Sequence, residues 1–194
     1  MGAHDLTPGA QARLDPALPA VLRPLARLMR VVNRVMVGLG MLALLAASLI
    51  LTSSVVSRYF FHASTDWQDE ASVFCLVGTT FLCSAFLQSL RGHVGIEAVV
   101  GLLPDWANRV RQMLVDLMCT LFCAFFAWKS WALFHEAWVD GQTTSSSWAP
   151  PLWIPYGLMS LGMTLVTVQM LLQLAASVNA LRPAVARSLK EVAA

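Results

Sequence analysis

The chain has 194 residues, 57% of them hydrophobic and only 12% charged, with a net charge of +2. Soluble domains carry about 25% charged residues, so a bilayer is the expected solvent. A charge this small gives no reason to expect nucleic acid as a partner.

Residues 1–20 are rich in proline, glycine and alanine, with Pro8, Gly9, Pro16 and Pro19. Such composition predicts a disordered cytoplasmic tail. Over residues 21–34, Arg23, Arg27, Arg30 and Arg34 share one helical face, opposite Leu22, Leu25, Leu28, Met29 and Val32. This pattern predicts a basic interfacial helix on anionic headgroups, and it also orients the span that follows. A four-helix membrane domain is expected over residues 35–178.

Val35 to Ser57 carries no charge and is long enough to cross about 30 Å of hydrocarbon. Gly38, Gly40, Ala43, Ala46 and Ala47 give this span small faces where another helix can approach. A short polar-aromatic turn follows, from Arg58 to Glu70, with Asp69 and Glu70 facing Arg58 across it. The second span is expected over 71–90, antiparallel to the first because the connection is short. After Arg91, Gly92 and His93, the apolar stretch 94–103 is too short to cross and ends at Pro104. It predicts a second, short interfacial helix.

The third span is expected over about 113–134. Asp116 near its start reads as an interfacial acid satisfied by a nearby arginine. Lys129 reads as lying at its far end between Trp128 and Trp131, where a lysine can snorkel outward. A polar loop runs from Asp140 to Trp148. Pro150 and Pro151 suit the first turn of a fourth span, which is expected from about Leu152 to Val178. Gln169 and Gln173 share one of its faces and read as interhelix glue. Residues 179–194 form a cytoplasmic tail. Cys75, Cys83, Cys119 and Cys123 all fall in apolar segments, and no disulfide is expected.

Charge asymmetry sets the orientation. Five arginines precede the first span, Arg91, Arg109 and Arg111 lie between the second and third, and Arg182, Arg187 and Lys190 follow the fourth. Only Arg58 and Lys129 fall toward the other side. The positive-inside rule places both termini in the cytoplasm. Most of the tryptophans, with Tyr59 and Tyr156, then gather at the outer boundary.

Parts for catalysis are missing. There is no glycine-rich phosphate loop, and nothing places a nucleophile beside a base. No cofactor is expected, because the four histidines lie in the tail or at membrane borders.

Several motifs together carry a resemblance. Arg58-Tyr59-Phe60 is followed by Trp67, Asp69 and Glu70. Arg91-Gly92-His93-Val94-Gly95-Ile96-Glu97 follows the second span. Ser147 and Pro151-Leu152-Trp153-Ile154-Pro155-Tyr156 lead into the fourth. Their order and placement over roughly residues 30–179 resemble the small membrane subunit (DctQ-like) of tripartite ATP-independent periplasmic (TRAP) transporters. The resemblance implies a non-catalytic subunit of the bacterial inner membrane. Its expected partners are a large, sodium-coupled membrane subunit (DctM-like) and a periplasmic solute-binding protein (DctP-like) that delivers an organic acid. The structural or partner-contact candidates are Arg58, Trp67, Asp69, Glu70, His93, Glu97, Trp153, Pro155 and Tyr156. Two other four-span classes are weighed against it. A haem-binding electron carrier needs histidines facing each other inside the bundle. A small multidrug-type exporter needs an acid inside the first span, and none occurs between Val35 and Ser57.

Overall fold

The computed structural model describes residues 18–62, 66–90 and 105–192; the expected tail over residues 1–20 lies outside them up to residue 17, with Leu18 buried, and the expected interfacial helix over 94–103 lies wholly outside them. After a 3-10 turn at Ala20–Leu22 come four helices: α1 at Arg23–Phe61, α2 at Asp66–Ser89, α3 at Asp105–Val139 and α4 at Trp153–Val192. All four contain stretches long and apolar enough to cross a membrane. The all-α, four-span expectation holds.

Two boundaries differ from the sequence reading. The basic segment and the first span are one helix of 39 residues with no break at residue 34. Pro24 sits in its first turn, where a proline costs no hydrogen bond, and no proline follows before its end. At 1.5 Å per residue α1 is about 58 Å long, roughly twice the hydrocarbon thickness. Its basic end therefore continues the axis of the span. The helix stops at His62, whose φ of 51° is left-handed, a common way to end a helix. At the other end of the chain, α4 runs on to Val192, so the segment after Val178 is an extension of the last helix.

The surface and interior are reversed relative to a soluble protein. The largest fully buried side chains are Gln173, Asn33, Ser72, Ser89, Ser130 and Ser160, whereas Leu42, Leu45, Leu49, Phe122 and Trp128 are more than half exposed. Large apolar groups on the outside have no reason to pack inward when the solvent is acyl chain.

Helix contacts form a row. α1 packs on α2, α2 on α4 and α4 on α3, which leaves α1 and α3 at the edges. The α1–α2 seam follows Gly40, Ala47 and Ser54, and Asn33, one heptad earlier in the same buried row, reaches α4. A strict heptad of small or polar residues gives a close, slightly supercoiled antiparallel pair. A Cβ on Gly40 would collide with Cys83 Sγ. The hydroxyl of Thr79 donates to the Gly40 carbonyl at 3.0 Å. Between α2 and α4, Gly162 lies directly against the backbone carbonyl of Phe81. On α3, the buried residues Asp116, Thr120, Ala127, Ser130 and Ala137, with half-buried Cys123 and Phe134 between them, step by four and three along the face turned to α4. The α1–α2 turn and the α3–α4 loop lie at one end of the row, the hairpin end. The start of α1 and the close of α4 lie at the other, the terminal end.

Candidate functional site at the hairpin end

The sequence places an arginine at the close of α1 and three acids in the opening turns of α2. The antiparallel seam brings them together. Arg58 forms an ion pair with Asp69, and Ser54 Oγ donates to the other oxygen of the same carboxylate at 3.3 Å. Of the two acids that face Arg58 in the sequence, Asp69 and not Glu70 is the one paired. Successive helical residues are turned about 100° apart, so only one of two adjacent acids can face α1. Asp69 is three residues before Ser72, which is buried in the same helix. The Glu70 Oε2 atom is buried and without a hydrogen-bond partner. Asp66 and Asp69 also benefit from the positive end of the α2 dipole.

The α3–α4 loop folds back onto this turn. Gly141 takes a positive φ of 62°, which lets the chain reverse after α3. Leu152 N donates to Gln142 O at 2.9 Å and Thr144 N to Pro150 O at 3.1 Å, making a small hairpin. From its tip, Ser147 Oγ donates to Asp66 Oδ2 at 2.9 Å. Beside this bond the Trp67 and Trp148 rings meet edge to face, with centroids 6.4 Å apart. Trp153 packs against Trp138 in the same manner at 4.9 Å. Pro155 is buried and Tyr156 half-buried, with Tyr156 N donating to Leu152 O at 3.3 Å.

Arg58, Trp67, Asp69, Glu70, Trp153, Pro155 and Tyr156 therefore all lie at this end. His93 and Glu97 lie outside the described residues. Ser147 and Trp148 join the cluster as contacts that sequence reasoning missed as a pair with α2. The signal was the polar loop itself, since Ser147 offers a hydroxyl where the chain must turn back.

A second polar layer lies toward the terminal end. Gln88 Nε2 donates to Gln173 Oε1 at 2.9 Å, and Gln173 Nε2 donates back to the Gln88 carbonyl at 2.8 Å. Asn33 Nδ2 donates to Gln169 Oε1 at 3.3 Å. The expected gluing role of the α4 glutamines is realised here. Asp116 accepts from Gln112 Nε2 at 2.9 Å and from Ser177 Oγ at 3.0 Å. Its carboxylate ties α3 to α4 through a neutral hydroxyl donor. Among the described residues no three His, Cys, Asp or Glu side chains converge as a metal site. His62 and His135 are both exposed. The arrangement joins helices and presents a surface.

The chain's relatives agree with this inventory. The sequence pattern of the family described as tripartite ATP-independent periplasmic transporters, DctQ component, matches residues 47–180. A TRAP transporter small permease protein of Haemophilus influenzae is 22% identical over 127 residues, which cover 66% of this chain and 74% of the relative. The C4-dicarboxylate TRAP transporter small permease protein DctQ of Vibrio cholerae is 21% identical over 147 residues, covering 65% of this chain and 63% of the relative. No solved structure gives a significant match. With this match running from the middle of α1 into α4, the chain belongs to the DctQ component family of tripartite ATP-independent periplasmic transporters.

Proposed function

We propose that this chain is the non-catalytic small membrane subunit of a TRAP-type secondary transporter. In this reading it braces a large sodium-coupled membrane subunit in the bacterial inner membrane. The hairpin end faces the periplasm, where the Arg58–Glu70 turn and the Asp140–Trp148 loop contribute to the surface that receives a solute-binding protein. The observation that carries the reading is the family match across residues 47–180. The side-chain chemistry supports it: buried polar groups inside the spans hold helices to one another, and among the described residues no carboxylate lies near the middle of a span as a coupling site would require.

Reconstitution tests the proposal. Alone in liposomes under a sodium gradient, the chain is expected to take up no organic acid. With the large subunit and the binding protein added, uptake is expected. The printed name of the Vibrio relative makes a C4-dicarboxylate the first cargo to assay. Uptake by the chain alone would overturn the bracing role, and failure to co-purify with the large subunit in mild detergent would overturn the partnership.

A further inference from the structure

The last turns of the fourth span carry an apolar groove that no other helix of the row fills. Leu171, Leu174, Ala175 and Val178 recur at i, i+3, i+4 and i+7, so they share one face of α4. That face is opposite the one that buries Leu172, Gln173 and Ala176. Together with Pro19 and Asn179 these four residues line a groove of about 420 Å3, within the size range of ligand clefts. The apolar part of α4 runs to Asn179, so the groove lies at the terminal-end border of the membrane.

The residues before α1 supply the groove's other wall. Leu18 is 2% exposed and packs with Met29, Leu172 and Ala176, which holds Pro19 beside α4. Leu22 N donates to Pro19 O at 2.9 Å, and this 3-10 turn runs straight into Arg23. At 2.0 Å per residue, Arg23 starts about 8 Å from Pro19.

Contacts between α1 and α4 set the height of the arginines. Asn33 is hydrogen-bonded to Gln169, and the two helices run antiparallel. Arg27 and Arg23 stand six and ten residues from Asn33 toward the terminal end. The same steps from Gln169 reach Ala175 and Asn179, which line the groove. Leu22 and Ala26 pack into the contact with α4. Arg23 and Arg27 each follow one of them, so they are turned about 100° from it and flank the contact. Both are exposed, and α1 contains no acidic residue. At one height, therefore, α4 presents hydrocarbon and α1 presents guanidinium groups.

An apolar wall beside a cationic one selects a ligand with an acyl tail and a negative head, and the membrane supplies such a molecule. We propose that this groove binds one anionic phospholipid, with an acyl chain along Leu171, Leu174 and Val178 and the phosphate held by Arg23 and Arg27. A guanidinium takes two phosphate oxygens at once, which fixes the head as well as attracting it. A zwitterionic lipid brings the same tail, but its choline repels the arginines. Leu42, Leu45 and Leu49 of α1 are exposed with no cation within a turn of them, so ordinary lipid contact is expected there. Every wall of the site belongs to this chain, so the inference does not rest on the partnership proposed above.

The test uses the full chain in mild-detergent micelles with a trace of phosphatidylglycerol carrying a diazirine in its acyl chain. Expected are adducts on residues 171–178. Unlabelled phosphatidylglycerol should suppress them about tenfold more effectively than phosphatidylcholine of the same chain length. The Arg23→Ala, Arg27→Ala double variant is expected to keep its thermal midpoint and lose that preference, while lysine at both positions retains most of it. Adducts equally strong on residues 42–49, equal competition by the two lipids, or an unchanged preference in the double alanine variant would each overturn the inference. A last arm repeats the labelling on the chain co-purified with its membrane partner. Retention of the adduct is expected, and its loss would show that protein fills the groove and would overturn the lipid assignment.

Discussion

At the scale of single residues, the hairpin end turns on which acid meets Arg58. The pair with Asp69 also engages Ser54, so the carboxylate has two donors from α1. About half of each charged side chain is exposed, 54% for Arg58 and 47% for Asp69. An exposed ion pair contributes only about 0–1 kcal/mol, and partial desolvation at the headgroups raises the cost of removing one partner alone, because the other is left unpaired. Arg58→Ala and Asp69→Ala are each expected to lower the thermal stability of the detergent-purified protein. The double variant should be no worse than the worse single, with a coupling of about 1 kcal/mol. Glu70→Ala should leave that coupling intact. A thermal-shift cycle measures this, and strictly additive losses would show that the two residues act independently. The sequence brought the arginine and both acids together, because a short turn between two spans leaves little choice. It did not choose between the acids, since a 100° rotation of α2 exchanges them and depends on how the whole seam packs.

At the scale of elements, the small residues of α1 have a use inside the chain. The sequence showed Gly40 and Ala47 as a face for another helix, and the structure gives that face to α2. Gly38, two residues before Gly40, has open space around it. The contrast makes a paired prediction. Gly40→Leu forces a side chain into Cys83 and should destabilise the α1–α2 hairpin by about 1–3 kcal/mol, the usual range for overpacking. Gly38→Leu should leave the thermal midpoint within the error of a wild-type repeat. Equal losses at both positions would mean that helix propensity, not packing, governs α1. Four spans were legible because each apolar run exceeds the membrane thickness. The joined α1 was less so, because arginine and leucine both favour helix and nothing in the sequence marks a bend at residue 34.

At the scale of the whole molecule, the row order α1–α2–α4–α3 was not legible, because it depends on which small faces match across helices distant in sequence. Gly162 against Phe81 and Gly40 against Cys83 are such matches. The same order explains why α4 holds so much polar chemistry. It lies between α2 and α3 and also meets α1 at Asn33, so Gln169, Gln173 and Ser177 find partners on three different helices. Orientation is the remaining property of the whole, and charge predicts it. The hairpin end carries Asp66, Asp69, Glu70, Glu136 and Asp140 against Arg58, while Arg23, Arg27, Arg30 and Arg34 sit together on the terminal side of α1 with no acid between Asp15 and Asp66. Retention of arginine on the cytoplasmic side during insertion follows short flanks such as these. Alkaline phosphatase, which is active only in the periplasm, reports the result. A fusion following Ala194 should be inactive, and one inserted at Thr144 or Ser145, at the tip of the α3–α4 loop, should be active. The reverse pattern would place the Ser147–Asp66 and Trp67–Trp148 contacts in the cytoplasm, where no periplasmic binding protein could reach them.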